Sequence, residues 1–500
     1  MVDPLSRSDI SRLRTCLLDG GFTSDAVAEL LGPTAHAALA RNETTPGLRM
    51  TRDGTPLSTL TRLWPLQAAV TEEEAGRALP GLVEVLCVAG FLQRSAGAVR
   101  ALVDLRPYAD SDRDFWVAAD LTPGLDGGDA RIGADHVLGI SPASTSLAQL
   151  TIRRPFERAL DLGTGCGVQA LHLARHVDEV VATDVNERAL WLTRLNAELN
   201  GLRLDVRRGS LFEPVHGEQF DLIVTNPPFV ISPATGERLA YRDSGLPGDE
   251  VVRRVVTGAP DRLRPGGWCQ VLANWAHTSG RPWEERLTGW LEGTGCDAWV
   301  VQREVADPAQ YVELWLKDAG LHGSPDYAER YDTWLSWFDE QGIEAVGFGW
   351  LNLHRAGLDT PVLRLEEWPY EVEQPLGPEV AAWGARCDVL AVTGDPALLA
   401  ERLVVRADVR QETVGEPGAE DPERIVLRQQ TGLRRARQAD TVEAGLVGAC
   451  DGELSVGQIL DALGTLLGRD QAEVRTTYLP RVRDLVAEGF LAVRGSVTGE

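Results

Sequence analysis

Two groups of residues in the middle of the chain have the types and spacing needed for transfer chemistry on a bound ligand. The first is a turn in which Asp161 is followed by Gly163, Gly165 and Gly167. Glycines between a strand and a helix let the backbone bend tightly and approach a ligand. A dinucleotide would place its pyrophosphate at the helix N-terminus. Because this turn is shorter and begins with an acid, it favours a cationic ligand that carries an amino acid.

The second group is Asn226-Pro227-Pro228-Phe229, which follows an apolar strand at 222–224. The nitrogen of an exocyclic amine or an amide is a poor nucleophile, because its lone pair is delocalised into a planar system. The Asn226 side-chain oxygen and the Pro227 carbonyl can accept its two hydrogens and expose the lone pair. The prolines preset this turn, and Phe229 offers a flat face for stacking. We therefore predict that Asn226, Pro227, Pro228 and Phe229 are the catalytic residues.

The surrounding sequence must hold both groups at one edge of a sheet. Apolar runs alternate with helical stretches between about 109 and 385, which predicts an α/β domain with a parallel sheet. Asp184 ends the second predicted strand, where a carboxylate can accept hydrogen bonds from ribose hydroxyls. The first strand ends at Asp161, and the others are expected at 179–184, 202–207, 222–224, 268–274, 298–305 and 345–353.

These features resemble a class I S-adenosylmethionine-dependent methyltransferase of the small-domain type, in which Asn-Pro-Pro-aromatic marks the amino-methyltransferases. The resemblance covers residues 155–275 and implies a Rossmann-like, seven-stranded sheet with S-adenosylmethionine as cofactor. It also implies that Asp184 holds the ribose and that Ser210, where the family usually has Asp or Glu, faces the adenine. The implied cofactor contacts are Asp161, Gly163, Thr164, Gly165, Gly167, Asp184, Val185, Ser210, Leu211 and Asn226.

Three domains are predicted along the chain. Residues 1–108 are expected to form a helical domain, residues 109–385 the methyltransferase domain, and residues 386–500 a winged-helix-like C-terminal domain. Helices that end at Gly90 and Gly489 are each followed by Phe-Leu. A glycine that ends a helix before an apolar strand is typical of winged-helix modules. Two unrelated helix ends are the alternative interpretation.

An insertion at about 306–342 separates the last two predicted strands. Eleven of the fourteen tryptophans lie between Trp268 and Trp383. They would line a substrate lid, as aromatic anchors do at recognition surfaces, or pack a peripheral helical layer. The predicted substrate contacts are Phe229 and, in the polar loop after the Asn-Pro-Pro-Phe motif, Tyr241, Arg242 and Asp243.

Charge and cysteine usage restrict the classes of partner. A net charge of −25 weakens nucleic-acid binding through phosphate neutralisation without excluding it. The seven cysteines are scattered singly, which fits neither a disulfide framework nor a zinc site. His172 and His176 are four residues apart but have no third ligand nearby, so no metal is predicted. We expect a cytoplasmic location, since the sequence has neither a signal-peptide core nor a membrane span.

The sequence therefore predicts an S-adenosylmethionine-dependent N-methyltransferase that acts on a planar nitrogen. We favour an exocyclic amine of an RNA base as the acceptor, because phenylalanine ends the motif and the flanking modules could hold RNA. A protein glutamine or peptide N-methyltransferase is the first alternative, and it suits the acidity of the chain. A small-molecule methyltransferase with the insertion as lid is the second. A degenerate domain that only senses the cofactor is the third.

Overall fold

The computed structural model describes residues 5–110, 113–127, 133, 135–233, 245–417 and 422–493. The chain divides into two compact units. The first comprises Met1–Ala148, Arg154–Thr294 and Val300–Leu351. The second comprises Gln149–Arg153, Gly295–Trp299 and Asn352–Glu500. No helix within the described ranges is long and apolar enough to cross a membrane.

The N-terminal part of the first unit contains short helices and two small antiparallel sheets. Strand order in the first sheet is β1-β3-β2, and β4 pairs with β5 in the second. Gly90, with φ +72°, follows the last helix and leads into β2, as the glycine pattern predicts. The elements are α1 (Arg7–Asp19), α2 (Ser24–Leu39), α3 (Thr45–Met50), α4 (Pro56–Leu63), β1 (Val70–Thr71), α5 (Glu72–Ala78), α6 (Val83–Val88), β2 (Leu92–Ser95), β3 (Ala98–Ala101), β4 (Asp104–Asp110) and β5 (Arg113–Ala119).

The central part of the chain alternates strands with helices, as the sequence predicts. Its apolar strands are buried; the residues of β9, for example, are almost entirely enclosed. The elements are α7 (Pro142–Leu150), β6 (Phe156–Leu162), α8 (Val168–Leu173), β7 (Val177–Asp184), α9 (Glu187–Leu199), β8 (Asp205–Arg208), β9 (Phe220–Thr225), α10 (Glu250–Gly258), β10 (Leu263–Thr278), α11 (Trp283–Leu291), β11 (Asp297–Ala306), α12 (Pro308–Asp318), α13 (Tyr327–Gln341), β12 (Ile343–His354) and β13 (Leu363–Glu367).

Strands β6 to β13 form the largest sheet, whose order in the described residues is β13-β11-β12-β10-β9-β6-β7-β8. Strands β6, β7, β8, β9 and β10 pair in parallel. In the register of β6 and β9, Leu160 lies opposite Ile223. The carboxyl ends of β6, β7 and β9 therefore meet at one edge, where parallel α/β sheets bind ligands. The predicted Rossmann-like α/β fold is confirmed.

Two details of the sheet differ from the prediction. An eighth strand, β13, pairs beside β11; its sequence is short, charged and partly exposed, so it lacks the apolar run that reveals a buried strand. The third strand begins at Asp205 rather than Leu202. The Leu202 N–H instead donates to the Ala197 carbonyl oxygen at 2.8 Å, which closes the turn after α9.

The C-terminal part of the second unit combines helices with short antiparallel strands. Gly489, with φ +79°, follows the last helix and leads into β18, as at Gly90. The acidic stretch 412–424, whose composition suggests a loop, partly belongs to β15 and β16, which pair in antiparallel register. The elements are α14 (Gly377–Val392), α15 (Asp395–Ala400), β14 (Leu403–Val405), β15 (Val409–Val414), β16 (Arg424–Gln429), β17 (Ala436–Ala439), α16 (Thr441–Ala449), α17 (Val456–Leu466), α18 (Gln471–Ala487) and β18 (Leu491–Val493).

A buried asparagine in α9 joins the N-terminal hairpin to the glycine turn. Asn196 Nδ2 donates to the carbonyl oxygens of Ala118 and Cys166, both at 2.8 Å. Its Oδ1 accepts from the Ala118 N–H, also at 2.8 Å. An amide side chain suits this set, because it offers two donors and an acceptor in one plane. Strand β5 and the turn are thus held at a fixed separation through α9.

Replacing Asn196 with alanine is expected to lower the free energy of unfolding by about 3 kcal/mol, because three buried backbone groups lose their partner. Urea denaturation followed by circular dichroism measures this change. Glu198→Ala is the matched control on the same helix, since its ion pair with Arg7 lies at the surface. Equal stability of the two variants would contradict the role given to the Asn196 network.

Candidate functional site

A cavity of about 890 Å³ opens at the carboxyl ends of β6, β7 and β9. It brings together residues that are far apart in the sequence, from the glycine turn to the Asn-Pro-Pro-Phe motif. The predicted site residues that line it are Asp161, Gly163, Thr164, Gly165, Asp184, Val185, Ser210, Leu211, Asn226, Pro227, Pro228 and Phe229. The two groups singled out for their chemistry therefore face a common space.

The glycine turn leaves room for a ligand at two of its three glycines. Gly163 and Gly165 have φ angles of +75° and +57°, a region that favours glycine. A side chain at either position would project into open space, with no neighbouring atom of the described residues within 4 Å of its Cβ. Gly167 is different: it does not line the cavity, and a Cβ there would lie 3.2 Å from the Thr193 side chain. The structure therefore does not place Gly167 at the predicted ligand contact. The glycine lets the turn pack closely against α9.

The buried carboxylate of Asp161 stabilises this turn through two hydrogen bonds. Its Oδ2 accepts hydrogen bonds from Thr164 Oγ1 at 2.6 Å and from the Ala170 N–H at 3.0 Å. Burial raises the pKa of Asp161 to about 7, and the two hydrogen bonds only partly oppose that rise. The carboxyl group of Asp161 therefore titrates near neutral pH. A positive charge nearby would favour its ionised form.

Asp184, at the end of β7, is fixed by two backbone donors. Its Oδ2 accepts from the Gly165 N–H at 3.0 Å, and its Oδ1 accepts from the Asn186 N–H at 2.8 Å. Burial raises the pKa of Asp184, against the effect of those backbone hydrogen bonds. Each carboxylate oxygen keeps a further lone pair for a ligand hydroxyl, since an ionised carboxylate offers about four acceptor sites.

The segment after β8 supplies the next wall of the cavity. Ser210 and Leu211 line it, and Leu211 has a φ of +45°, which is uncommon for a residue with a branched side chain. The Ser210 N–H donates to Glu213 Oε2 at 3.2 Å. A hydroxyl therefore stands where the resemblance leads one to expect a carboxylate.

The Asn-Pro-Pro-Phe motif follows β9 directly. The Thr225 hydroxyl donates to the Leu162 carbonyl oxygen at 2.7 Å, which ties the end of β9 to the end of β6. Asn226 Oδ1 is buried and has no hydrogen-bond partner among the described residues. A buried acceptor without a donor is costly, and this one belongs to a residue that lines the cavity. It therefore marks a position for a ligand N–H group.

Aromatic residues of the insertion pack against the motif. Phe229 is buried, and its ring meets Trp315 of α12 edge-to-face with centroids 6.2 Å apart. Trp315 and Trp334 are themselves buried. The insertion thus forms a packed helical layer, the second of the two interpretations of its tryptophans. The remaining predicted substrate contacts, Tyr241, Arg242 and Asp243, lie outside the described residues.

One wall of the cavity is formed by residues that no motif or periodic pattern in the sequence identifies. The segment 135–139 lines it beside the glycine turn and is held by side chains distant in sequence. Asp120 Oδ2 accepts from the Val137 N–H at 2.8 Å, and Asn186 Nδ2 donates to the Asp135 carbonyl oxygen at 2.9 Å. Further lining residues that sequence reasoning misses are Ser141, Ala143, Ser144, Gln169, Leu246, Val251 and Arg254.

His172, the first of the two histidines four residues apart, belongs to a different environment. His172 is buried, with its Nε2 3.1 Å from the Tyr108 hydroxyl and its ring edge-on to that of Tyr108. The ring also meets Phe115 at 5.7 Å between centroids. His172 is therefore part of an aromatic contact between α8 and the β4–β5 hairpin.

Comparison with known proteins matches three segments of the chain. Residues 139–287 match the model "Methyltransferase small domain", while residues 19–102 and 381–493 match two domains of unknown function. A release factor glutamine methyltransferase of Geobacter sulfurreducens is 36% identical over 155 residues, which is 29% of this chain and 52% of that protein. One from Xylella fastidiosa is 40% identical over 131 residues, 24% of this chain and 47% of that protein.

Nucleic-acid enzymes are also among the similar proteins. The ribosomal RNA small subunit methyltransferase C of Alcanivorax borkumensis is 33% identical over 117 residues, 23% of this chain and 32% of that protein. A solved 16S rRNA N2 methyltransferase of T. thermophilus, in complex with AdoMet and guanosine, is 19% identical with a TM-score of 0.27, and the match covers 50% of this chain and 66% of that one. The chain spans about half the length or less of these curated relatives. Residues 139–287 of the chain are therefore similar to the methyltransferase small domain.

Proposed function

We propose that this protein is an S-adenosylmethionine-dependent N-methyltransferase whose acceptor is a planar nitrogen. The observation that carries the proposal is the buried Asn226 Oδ1, which has no donor among the described residues and lies in the same cavity as the glycine turn. An amine or amide N–H would satisfy it. The Pro227 carbonyl is the second proposed acceptor, so the two hydrogens of an –NH₂ group would both be held while its lone pair points away from them.

The residues of the cavity fit S-adenosylmethionine. Gly163 and Gly165 leave the space that a side chain would fill, and Asp184 offers carboxylate lone pairs to ribose hydroxyls. The raised pKa of Asp161 suits a site that receives a positive charge. When bound, this cofactor supplies an electrophilic methyl group. The protein's part is to align the acceptor nitrogen, since orientation of two reactants accounts for a large share of the barrier in such transfers.

Two classes of acceptor are supported by different observations. An exocyclic amine of an RNA base is favoured by the phenylalanine at the end of the motif and by an rRNA methyltransferase among the relatives. A glutamine side-chain amide is favoured by the net charge of −25 and by the release factor glutamine methyltransferases. Both acceptors present a planar –NH₂ group to Asn226.

Transfer of labelled methyl groups tests the proposal. The purified protein is incubated with labelled S-adenosylmethionine and lysate from cells that lack the gene, and RNA, protein and small molecules are then separated. Label in RNA supports the base amine, and label in protein supports the glutamine amide. Label in small molecules supports the function but moves the acceptor to specialised metabolism. Absence of label from every fraction would refute the proposal.

The affinity for S-adenosylmethionine is expected to rise about fivefold between pH 6 and pH 7, below the range in which the cofactor's own α-amino group loses its proton. A bound cation favours the ionised form of Asp161, so that binding below its pKa of about 7 must also remove a proton. Isothermal titration calorimetry across this range measures the effect. Asp161→Asn cannot lose a proton at this position and should bind with little pH dependence between pH 6 and pH 7. An unchanged profile in that variant would assign the dependence to another group.

A further inference from the structure

Two side chains of the insertion hold both backbone groups of one residue beyond the Asn-Pro-Pro-Phe motif. The Tyr311 hydroxyl oxygen, on α12, accepts from the Ile231 N–H at 2.9 Å. Trp334 Nε1–H, on α13, donates to the Ile231 carbonyl oxygen at 2.9 Å. All three residues are at least 99% buried. A buried backbone pair in a non-regular segment needs such partners, and here they come from 80 and 103 residues away.

Tyr311 is itself held in place from the sheet. Asn274 Nδ2, on β10, donates to the Tyr311 hydroxyl at 3.2 Å, so that this oxygen accepts two hydrogen bonds. Burial raises the pKa of Tyr311 well above its usual value, which keeps the phenol neutral. Its ring lies among the rings of Trp315, Trp334, Phe338 and Phe348. The hydroxyl is therefore a fixed point between the sheet and the motif.

The motif is consequently restrained at both ends. On one side, Thr225 binds the end of β6 through its hydroxyl. On the other, Ile231 is fixed by Tyr311 and Trp334. Between them, two prolines restrict φ, so that few torsions remain by which the Asn226 side chain could shift. A displacement of about 1 Å at a reacting group can cost about 10²-fold in rate.

We propose that Tyr311 and Trp334 are positioning residues, which hold the segment 226–231 so that Asn226 meets the acceptor nitrogen in a reactive orientation. This inference rests on the proposed N-methyltransferase function. It gives the insertion a task beyond packing: the insertion sets the geometry of the acceptor half of the site and leaves the cofactor half unaffected. Neither Tyr311 nor Trp334 lines the cavity, so both act through the backbone of Ile231.

Tyr311→Phe tests the inference, because it removes the hydroxyl and keeps the ring. We expect amide exchange at Ile231 to accelerate about tenfold as the local hydrogen bond is lost. Methyl transfer should slow by about 10- to 100-fold, chiefly in kcat, while the affinity for S-adenosylmethionine stays within about twofold. Tyr331→Phe is the matched control in the same insertion, since that hydroxyl is bonded only to the exposed Glu313 at 3.3 Å among the described residues.

The outcomes separate the inference from the proposed function. Unchanged Ile231 exchange, or a normal kcat with accelerated exchange, would overturn the positioning role. A parallel loss of cofactor affinity would also overturn it, by showing a general loss of structure. If Tyr311→Phe does not fold, Trp334→Phe removes the N–H that donates to the Ile231 carbonyl oxygen, together with part of a buried ring, and kcat is again compared with the affinity for S-adenosylmethionine. Absence of transfer by the wild-type protein refutes the proposed function, and the exchange rate still decides whether the hydroxyl holds Ile231.

Discussion

Replacement of Asn226 with alanine is expected to slow methyl transfer by about 10²- to 10³-fold, the usual loss when a preset polar group at a reacting atom is removed. The affinity for S-adenosylmethionine should change by less than about threefold if Asn226 serves the acceptor, as proposed, and not the cofactor contact that the resemblance also implies for it. Transfer slows because the variant lacks the buried Oδ1 that is proposed to accept a hydrogen bond from the acceptor N–H group. Single-turnover transfer of labelled methyl groups and calorimetric titration of the cofactor measure the two quantities separately.

The stability of this variant serves as its own control. Because Asn226 Oδ1 has no partner among the described residues, its removal breaks no hydrogen bond seen within them, and the melting temperature should not fall. A large loss of cofactor affinity would place Asn226 in the cofactor half of the site. An undiminished transfer rate would show that another group accepts the nitrogen's hydrogens, and would remove the main support for planar-nitrogen chemistry.

Asp184→Asn is expected to weaken S-adenosylmethionine binding by about 100-fold. The amide has one oxygen, so its NH₂ group must face either the Gly165 N–H or the Asn186 N–H, both of which now donate to the carboxylate. A donor opposed to a donor in a buried site costs about 1–3 kcal/mol, and an acceptor for the ribose is lost as well. Calorimetric titration of the cofactor gives the dissociation constant directly.

Asp178→Asn is the matched control, because this carboxylate lies on the same strand and is exposed. It should bind the cofactor with the affinity of the wild-type protein. If both variants bind equally well, Asp184 does not hold the cofactor. If both bind weakly, the effect comes from the charge of the strand and not from the hydrogen bonds at its end.

The parts of the fold that sequence reasoning predicts are those with a local signal. The strand and turn at Asp161–Gly167 show an apolar run followed by closely spaced glycines. The register of β6 with β9 has no such signal and is seen only in the structure. The strand β13 has no apolar run and therefore escapes prediction. The division into three domains and the cytoplasmic location stay predictions.

In the site, too, the residues that can be predicted are those with a local signal in the sequence. Asp184 and Asn226 end apolar strands, so their meeting at one edge of the sheet can be predicted. The wall at 135–139 cannot, because its position depends on hydrogen bonds with Asp120 and Asn186, which leave no periodic pattern. Gly167 is correctly placed in the turn, yet the lack of room for a side chain beside Thr193 depends on how closely α9 approaches, which spacing alone does not encode.

The asparagine bridge from α9 also determines how this chain can be recombined. Asn196 binds Ala118 of β5 and Cys166 of the glycine turn at once, so a junction at residue 139 would separate the partners of one side chain. A chimera that joins residues 139–287 to a foreign N-terminal region would inherit Asn196 with two of its three hydrogen bonds unmet. We therefore expect an active chimera only when the junction lies before β4. The β4–β5 hairpin and the glycine turn then come from the same protein.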